Sequence, residues 1–175
     1  SRNLIQHSSE SLAGRIGLLN LTPFFIIYLN LQPNFNLIGF WLKGGFPDSY
    51  LNENETNSSI WRENYIRTYI ERDIPQLGFQ IPALQLRRLL TMCAHNQGQI
   101  LNASKLGESL GLTHPTIKRY IDLLEQTFIV RTLTPYEVNV KKRLVKSPKI
   151  YIRDTGILHQ LLSIENYNEL LGNPI

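Results

Sequence analysis

Cysteine is almost missing from this 175-residue chain, where Cys93 stands alone. A single thiol excludes an internal disulfide and suits a reducing compartment, so a cytoplasmic location is expected. Cys93 falls on the apolar side of a helical pattern and reads as a buried core thiol rather than a reactive one. Histidine is nearly as sparse. His7, His95, His114 and His159 are scattered without metal-ligand spacing, so no metal is expected. No apolar run reaches the roughly 20 residues that a membrane span needs. The longest, Leu18–Leu31, is interrupted by Asn20, Thr22, Pro23 and Asn30. It is expected to form a buried strand broken at Pro23 and then the start of a helix, with no membrane partner.

Chemistry-bearing motifs are missing as well. The paired glycines Gly44-Gly45 follow Lys43 but lead into Phe46-Pro47, without the lysine and hydroxyl residue of a phosphate-binding loop. No nucleophile elbow occurs, and Glu71 and Asp73 around Arg72 read as surface ion pairs. The residues alone describe no self-sufficient enzyme. The chain also opens on Ser1-Arg2-Asn3-Leu4, with neither an initiator methionine nor a basic-then-apolar leader. It is expected to be a piece of a longer protein.

Charge is present but uneven. The net charge is +4; residues 1–80 carry six Lys/Arg against seven Asp/Glu, and residues 81–175 carry twelve against seven. The second half is thus the one suited to a polyanionic partner. Its pattern is the most informative in the chain. Leu86, Leu89, Leu90 and Cys93 share one face of a helix over 85–95. Ala103, Leu106, Gly107 and Leu110 repeat that spacing, and Gly111 can close the helix in the left-handed region. Thr113 is a hydroxyl cap and Pro115 suits a first turn. Ile117, Tyr120, Ile121, Leu124 and Phe128 then form a third apolar stripe, with Lys118, Arg119 and Asp122 on or near the opposite face. These are the parts of a helix-turn-helix. Strand-like residues at 128–133 and 149–152 flank a basic loop, which makes the segment a winged helix.

Ahead of it, a helix over 4–12 and a strand over 17–21 are expected, with a short buried helix at Phe40-Trp41-Leu42. The polar stretch 52–59 reads as an exposed loop, with Ser59 capping a long helix from Ile60 to about Ile74. After residue 153, Asp154-Thr155-Gly156 reads as a turn and 157–164 as a helix. The expected fold is therefore mainly α with a small β component: a helical bundle followed by a winged helix-turn-helix.

The loop cations Lys141, Lys142, Arg143, Lys146 and Lys149 can reach phosphates on either side of a groove, with Thr116, Lys118 and Arg119 as candidates for the groove itself. Two readings stay open: DNA contact, or a protein-interaction module whose basic loop is merely solvated.

Several strings together resemble a family of prokaryotic AAA-type ATPases that carry a C-terminal domain of unknown function. They are Ser9-Glu10-Ser11-Leu12-Ala13-Gly14-Arg15-Ile16, Gly44-Gly45-Phe46-Pro47, Tyr69-Ile70-Glu71-Arg72-Asp73-Ile74 and Leu101-Asn102-Ala103-Ser104. Tyr120-Ile121-Asp122-Leu123-Leu124-Glu125 and Lys149-Ile150-Tyr151-Ile152-Arg153-Asp154-Thr155-Gly156 complete the set. The resemblance implies that 1–27 ends an ATPase core, 28–82 is its helical lid, 83–153 is the winged helix, and 154–175 begins a restriction-endonuclease-like domain. It implies ATP and magnesium for the full-length protein, with none held by this chain, and possible homo-oligomers. Arg15 would sense nucleotide, in the manner of an arginine finger across a subunit boundary; alternatively it is a helix-end arginine paired with Glu10. The chain departs from that family after Thr22-Pro23-Phe24, where polar residues and a glutamate are usual and Phe25-Ile26-Ile27-Tyr28 stands instead. That apolar run suggests a surface for a missing part.

Overall fold

A computed structural model describes residues 22–136 and 147–173. Its first part is a set of short helices: α1 (Ile26–Leu29), α2 (Leu37–Lys43), α3 (Pro47–Tyr50) and the longer α4 (Glu55–Thr68). Helix α4 begins five residues earlier than Ile60, which corrects the expected loop at 52–59. Asn54 is the cap, accepting from the Asn57 N–H at 3.0 Å. The polar residues after it are tolerated because Ser58 turns inward and is paired there. Helix α4 runs into a π-helical turn (Tyr69–Asp73) and the single turn α5 (Ile74–Gln76). Pro75 has no N–H to return to the preceding turn, so the α-helical ladder cannot continue through it.

The second part is the winged helix. Helices α6 (Ala83–His95), α7 (Ala103–Leu110) and α8 (His114–Gln126) fall where the apolar spacing put them. Gly111 ends α7 at φ +67°, the left-handed cap a glycine adopts without a Cβ penalty. Strands β1 (Val130–Leu133) and β2 (Lys149–Ile152) pair antiparallel, with Val130 opposite Ile152 and Leu133 opposite Lys149. Segment 98–101 lies along the other edge of β2, where Gly98 N–H donates to the Ile150 carbonyl and Ile150 N–H to that of Gln99. Helices α9 (Thr155–Leu161) and α10 (Tyr167–Gly172) follow, so Thr155 and Gly156 are helical rather than a turn.

One apolar core runs through both parts, from Ile66, Ile70 and Ile74 through Leu89, Ile121 and Ile150 to Ile157. Cys93 is fully buried in it, and burial pushes its thiol up to about 12. Two expectations of burial need correction. The run from Phe24 to Leu31 is almost wholly exposed, and α1 buries none of its residues. In α2 only Leu42 is buried while Trp41 stays half-exposed, because a helix of about two turns can press only one face on the core.

Candidate functional site

Helix α8 is the second helix of the helix-turn-helix, capped at its start and packed along one face. Thr113 Oγ1 caps it, accepting from the Thr116 N–H at 3.4 Å, and the two threonine hydroxyls lie 2.9 Å apart. Ile117, Tyr120, Ile121 and Leu124 face inward, and the Gly107 carbonyl accepts from Leu112 N–H at 2.8 Å, where a Cβ on Gly107 would stand 2.5 Å from the Leu112 carbonyl oxygen. Lys118, Arg119 and Asp122 point to solvent, and Thr116 is half-buried. Among the described residues neither Lys118 nor Arg119 has a carboxylate partner; the Arg119 guanidinium lies 5.7 Å from the centre of the Tyr120 ring. The β ribbon beside α8 turns Val130, Ile150 and Ile152 into the core, so its outer face carries Arg131, Leu133, Lys149 and the partly covered Tyr151. Sequence reasoning thus placed Thr116, Lys118 and Arg119 together on one outward helix. Lys141, Lys142, Arg143 and Lys146 lie outside the described residues, as do Arg15 and the helix and strand expected before residue 22.

A second cluster joins the first part of the chain to α9. Asp154 caps α9 by accepting from Ile157 N–H at 2.9 Å with Oδ1, while Oδ2 accepts from Gly45 N–H at 2.7 Å. The approach needs glycine: a Cβ on Gly44 would stand 2.2 Å from Asp154 Oδ1, and one on Gly156 would stand 2.1 Å from the Lys43 carbonyl oxygen. Behind this contact Arg62 is 2% exposed. Its Nη1 donates to Ser58 Oγ at 2.7 Å and Ser49 Oγ at 3.2 Å, and Ser49 Oγ donates to the Lys43 carbonyl at 2.7 Å. Arg62 Nε has no partner among the described residues. Burial pulls the Arg62 guanidinium down and the charge of Asp154 pulls it back. Burial pushes the Asp154 carboxyl up, against the backbone N–H groups and Arg62. His159, on the same helix, is buried with Nδ1 3.3 Å from the Leu42 carbonyl, and burial lowers it.

This cluster also settles what Gly44-Gly45 can do. Gly44 N–H is given to the Phe40 carbonyl and Gly45 N–H to Asp154, so the pair keeps no amide for a phosphate.

Residues 34–168 match a family model described as a domain of unknown function (DUF8612). The chain belongs to that family. Its DUF8612 region takes in everything from α2 through the ribbon to α9 and the start of α10. An uncharacterized protein of Mycobacterium tuberculosis is 43% identical over 174 residues, which is 99% of this chain and 39% of that relative. One of Mycobacterium bovis gives the same figures. An uncharacterized protein of Haemophilus influenzae is 25% identical over 139 residues, 75% of this chain and 34% of that protein. The chain spans about two fifths of the length of the mycobacterial relatives. Among the described residues no helix is long and apolar enough to cross a membrane, and no group of three or more His, Cys, Asp or Glu is arranged to hold a metal.

Sequence reading missed Arg62, His159 and the part played by Asp154. Asp154 had a usable signal, since an aspartate three residues before the apolar Ile157-Leu158 pair is a helix cap in waiting. Arg62 had none, because nothing local marks a charged side chain for burial. Phe128 was assigned to the apolar stripe of α8 and is instead 68% exposed, at φ +65°.

Proposed function

We propose that this DUF8612 chain is the lid and winged-helix portion of an AAA-type ATPase and that its winged helix binds DNA. The observation that carries the reading is the outward face of α8, where Lys118 and Arg119 project beside Thr116 and, among the described residues, form no ion pair even with Asp122 on the same face. Exposed cations of this kind on a helix-turn-helix contact phosphates and base edges. The ordered strings from Gly44-Gly45-Phe46-Pro47 to Asp154-Thr155-Gly156 support the AAA part, by resemblance alone. ATP and magnesium belong to the longer protein that the resemblance implies.

The test is fluorescence anisotropy with a 20-base-pair duplex across a salt series. Affinity should fall steeply with salt, and each phosphate contact removed should lower the slope by about one. Lys118→Ala with Arg119→Ala should therefore flatten the slope by about two, and Lys141→Ala, Lys142→Ala and Arg143→Ala together should flatten it further. Slopes that stay unchanged in both variants would turn the argument to the second reading, a protein-interaction scaffold. That reading is favoured by a separate observation, the exposed apolar side chains between Phe25 and Trp41.

A further inference from the structure

The end of α8 is built as a Schellman motif. Phe128 N–H donates to the Glu125 carbonyl and Ile129 N–H to that of Leu124, both at 3.1 Å. The residue at the turn of this motif must be left-handed, and glycine is usual there. Here it is Phe128, at φ +65°. A bulky side chain in that region costs about 1–2 kcal/mol, and such strain is found where function demands it. The core does not demand it. The neighbour Ile129 supplies the buried contact of the motif, while the Phe128 ring stands in solvent.

The ring is not alone. Arg153 lies over it at 5.3 Å from the ring centre. From there the outer face of the ribbon continues with Arg131, Tyr151 and Lys149, residues of one side of the two paired strands. Alternate residues of β2 stand roughly 7 Å apart, so these cations form a row rather than a point. None of Arg131, Lys149 and Arg153 has a carboxylate partner among the described residues. Two nearby acids among the described residues are turned away: Glu125 is taken by the Thr132 N–H and hydroxyl, and Asp154 by Gly45 and Ile157.

An exposed aromatic face at the head of a row of unpaired cations is the chemistry that receives single-stranded nucleic acid: the ring stacks on a base, and the cations follow the phosphates. Resting on the DNA-binding reading above, we infer that Phe128 and Arg153 form a stacking platform for an unpaired base, with Arg131 and Lys149 tracking its backbone. The substrate class is DNA with a single-stranded region, and the platform is distinct from the outward face of α8.

The experiment uses the whole 175-residue chain, a fluorescein-labelled 20-nucleotide single strand of mixed pyrimidine sequence, and the matching blunt duplex. Phe128→Gly keeps the left-handed turn and removes the ring, so its melting temperature should be unchanged or higher. Its Kd for the single strand should rise about tenfold, the size expected for one lost stacking contact, while its Kd for the duplex changes less than twofold. In the wild type, 2-aminopurine placed within the strand should be quenched on binding, and in Phe128→Gly it should not. Equal effects on both DNAs, no effect on either, or a melting temperature several degrees lower would each overturn the platform. Salt-dependent duplex binding without single-strand binding would overturn it and leave the DNA reading standing. Binding to neither DNA would remove both, and the Phe128 knob would then be a protein contact.

Discussion

Asp154 serves two segments 109 positions apart with two oxygens, one on the Gly45 amide and one on the first turn of α9. It also supplies the negative charge that the buried Arg62 senses. Losing the carboxylate leaves the Gly45 and Ile157 amides without their acceptor and Arg62 without a counter-charge. Each backbone donor left without its acceptor in a part-buried contact costs about 1–3 kcal/mol. With two such amides, Asp154→Ala is expected to destabilise the chain by about 3 kcal/mol, lowering the melting temperature by roughly 6–12 °C for a protein of this size. A melting curve for Asp154→Ala within 2 °C of wild type would show that the two amides do not depend on the carboxylate.

At the scale of elements, the crossing of α9 over α2 depends on backbone meeting backbone. The Gly156 Cα faces the Lys43 carbonyl so closely that a methyl group would stand 2.1 Å from its oxygen, and the atom it meets is main chain that cannot swing aside. Gly156→Ala should push α9 off α2 and cost about 3 kcal/mol, at the upper end of overpacking penalties, with amide exchange rising in both helices. Unchanged exchange protection in α2 would contradict this crossing. Elements whose stability comes from their own periodicity were readable in advance. Leu86, Leu89, Leu90 and Cys93 mark α6, and Thr113 with Pro115 marks the start of α8, because these signals act within one or two turns. What escaped was decided at a distance. Ser58 sits in a polar stretch that reads as a loop, and becomes helical where its hydroxyl meets Ser49 and Arg62. Phe128 has the composition of a core residue and the backbone of a helix terminus, and only the hydrogen bonds that close α8 reveal which prevails. For the site, Lys118 and Arg119 were legible because an outward face follows from an inward one. The ribbon face had to wait for the register of β1 on β2.

Across the whole molecule, charge and apolarity are segregated. No charged residue occurs from Ile16 to Leu42, and within that stretch Phe25, Ile27, Tyr28, Leu31 and Leu37 are each at least half exposed. Contiguous exposed apolar surface of this kind marks an interaction site or a liability for association. The wild-type chain is expected to bind the dye ANS in its folded state, and Ile27→Lys with Leu31→Lys should reduce that binding by more than half. Because both side chains face solvent, the melting temperature of the double variant should move by less than about 2 °C, as surface changes stay near 0.5 kcal/mol each. A drop of many degrees would mean that these side chains are packed inside.

The bond from Gly45 to Asp154 carries a consequence for how the chain is made. A ribosome adding about 5–20 residues per second delivers Asp154 on the order of 5–20 s after Gly45, given the 109 positions between them. During that interval α6, α7 and α8 can complete their mostly local contacts, while α2 and the buried face of α4 wait for α9. Leu42, whose cluster partners Ile164 and Leu170 come later still, stays uncovered through that interval. Among the described residues, the meeting of α2 with α9 is thus a contact that closes only after the winged helix has been made.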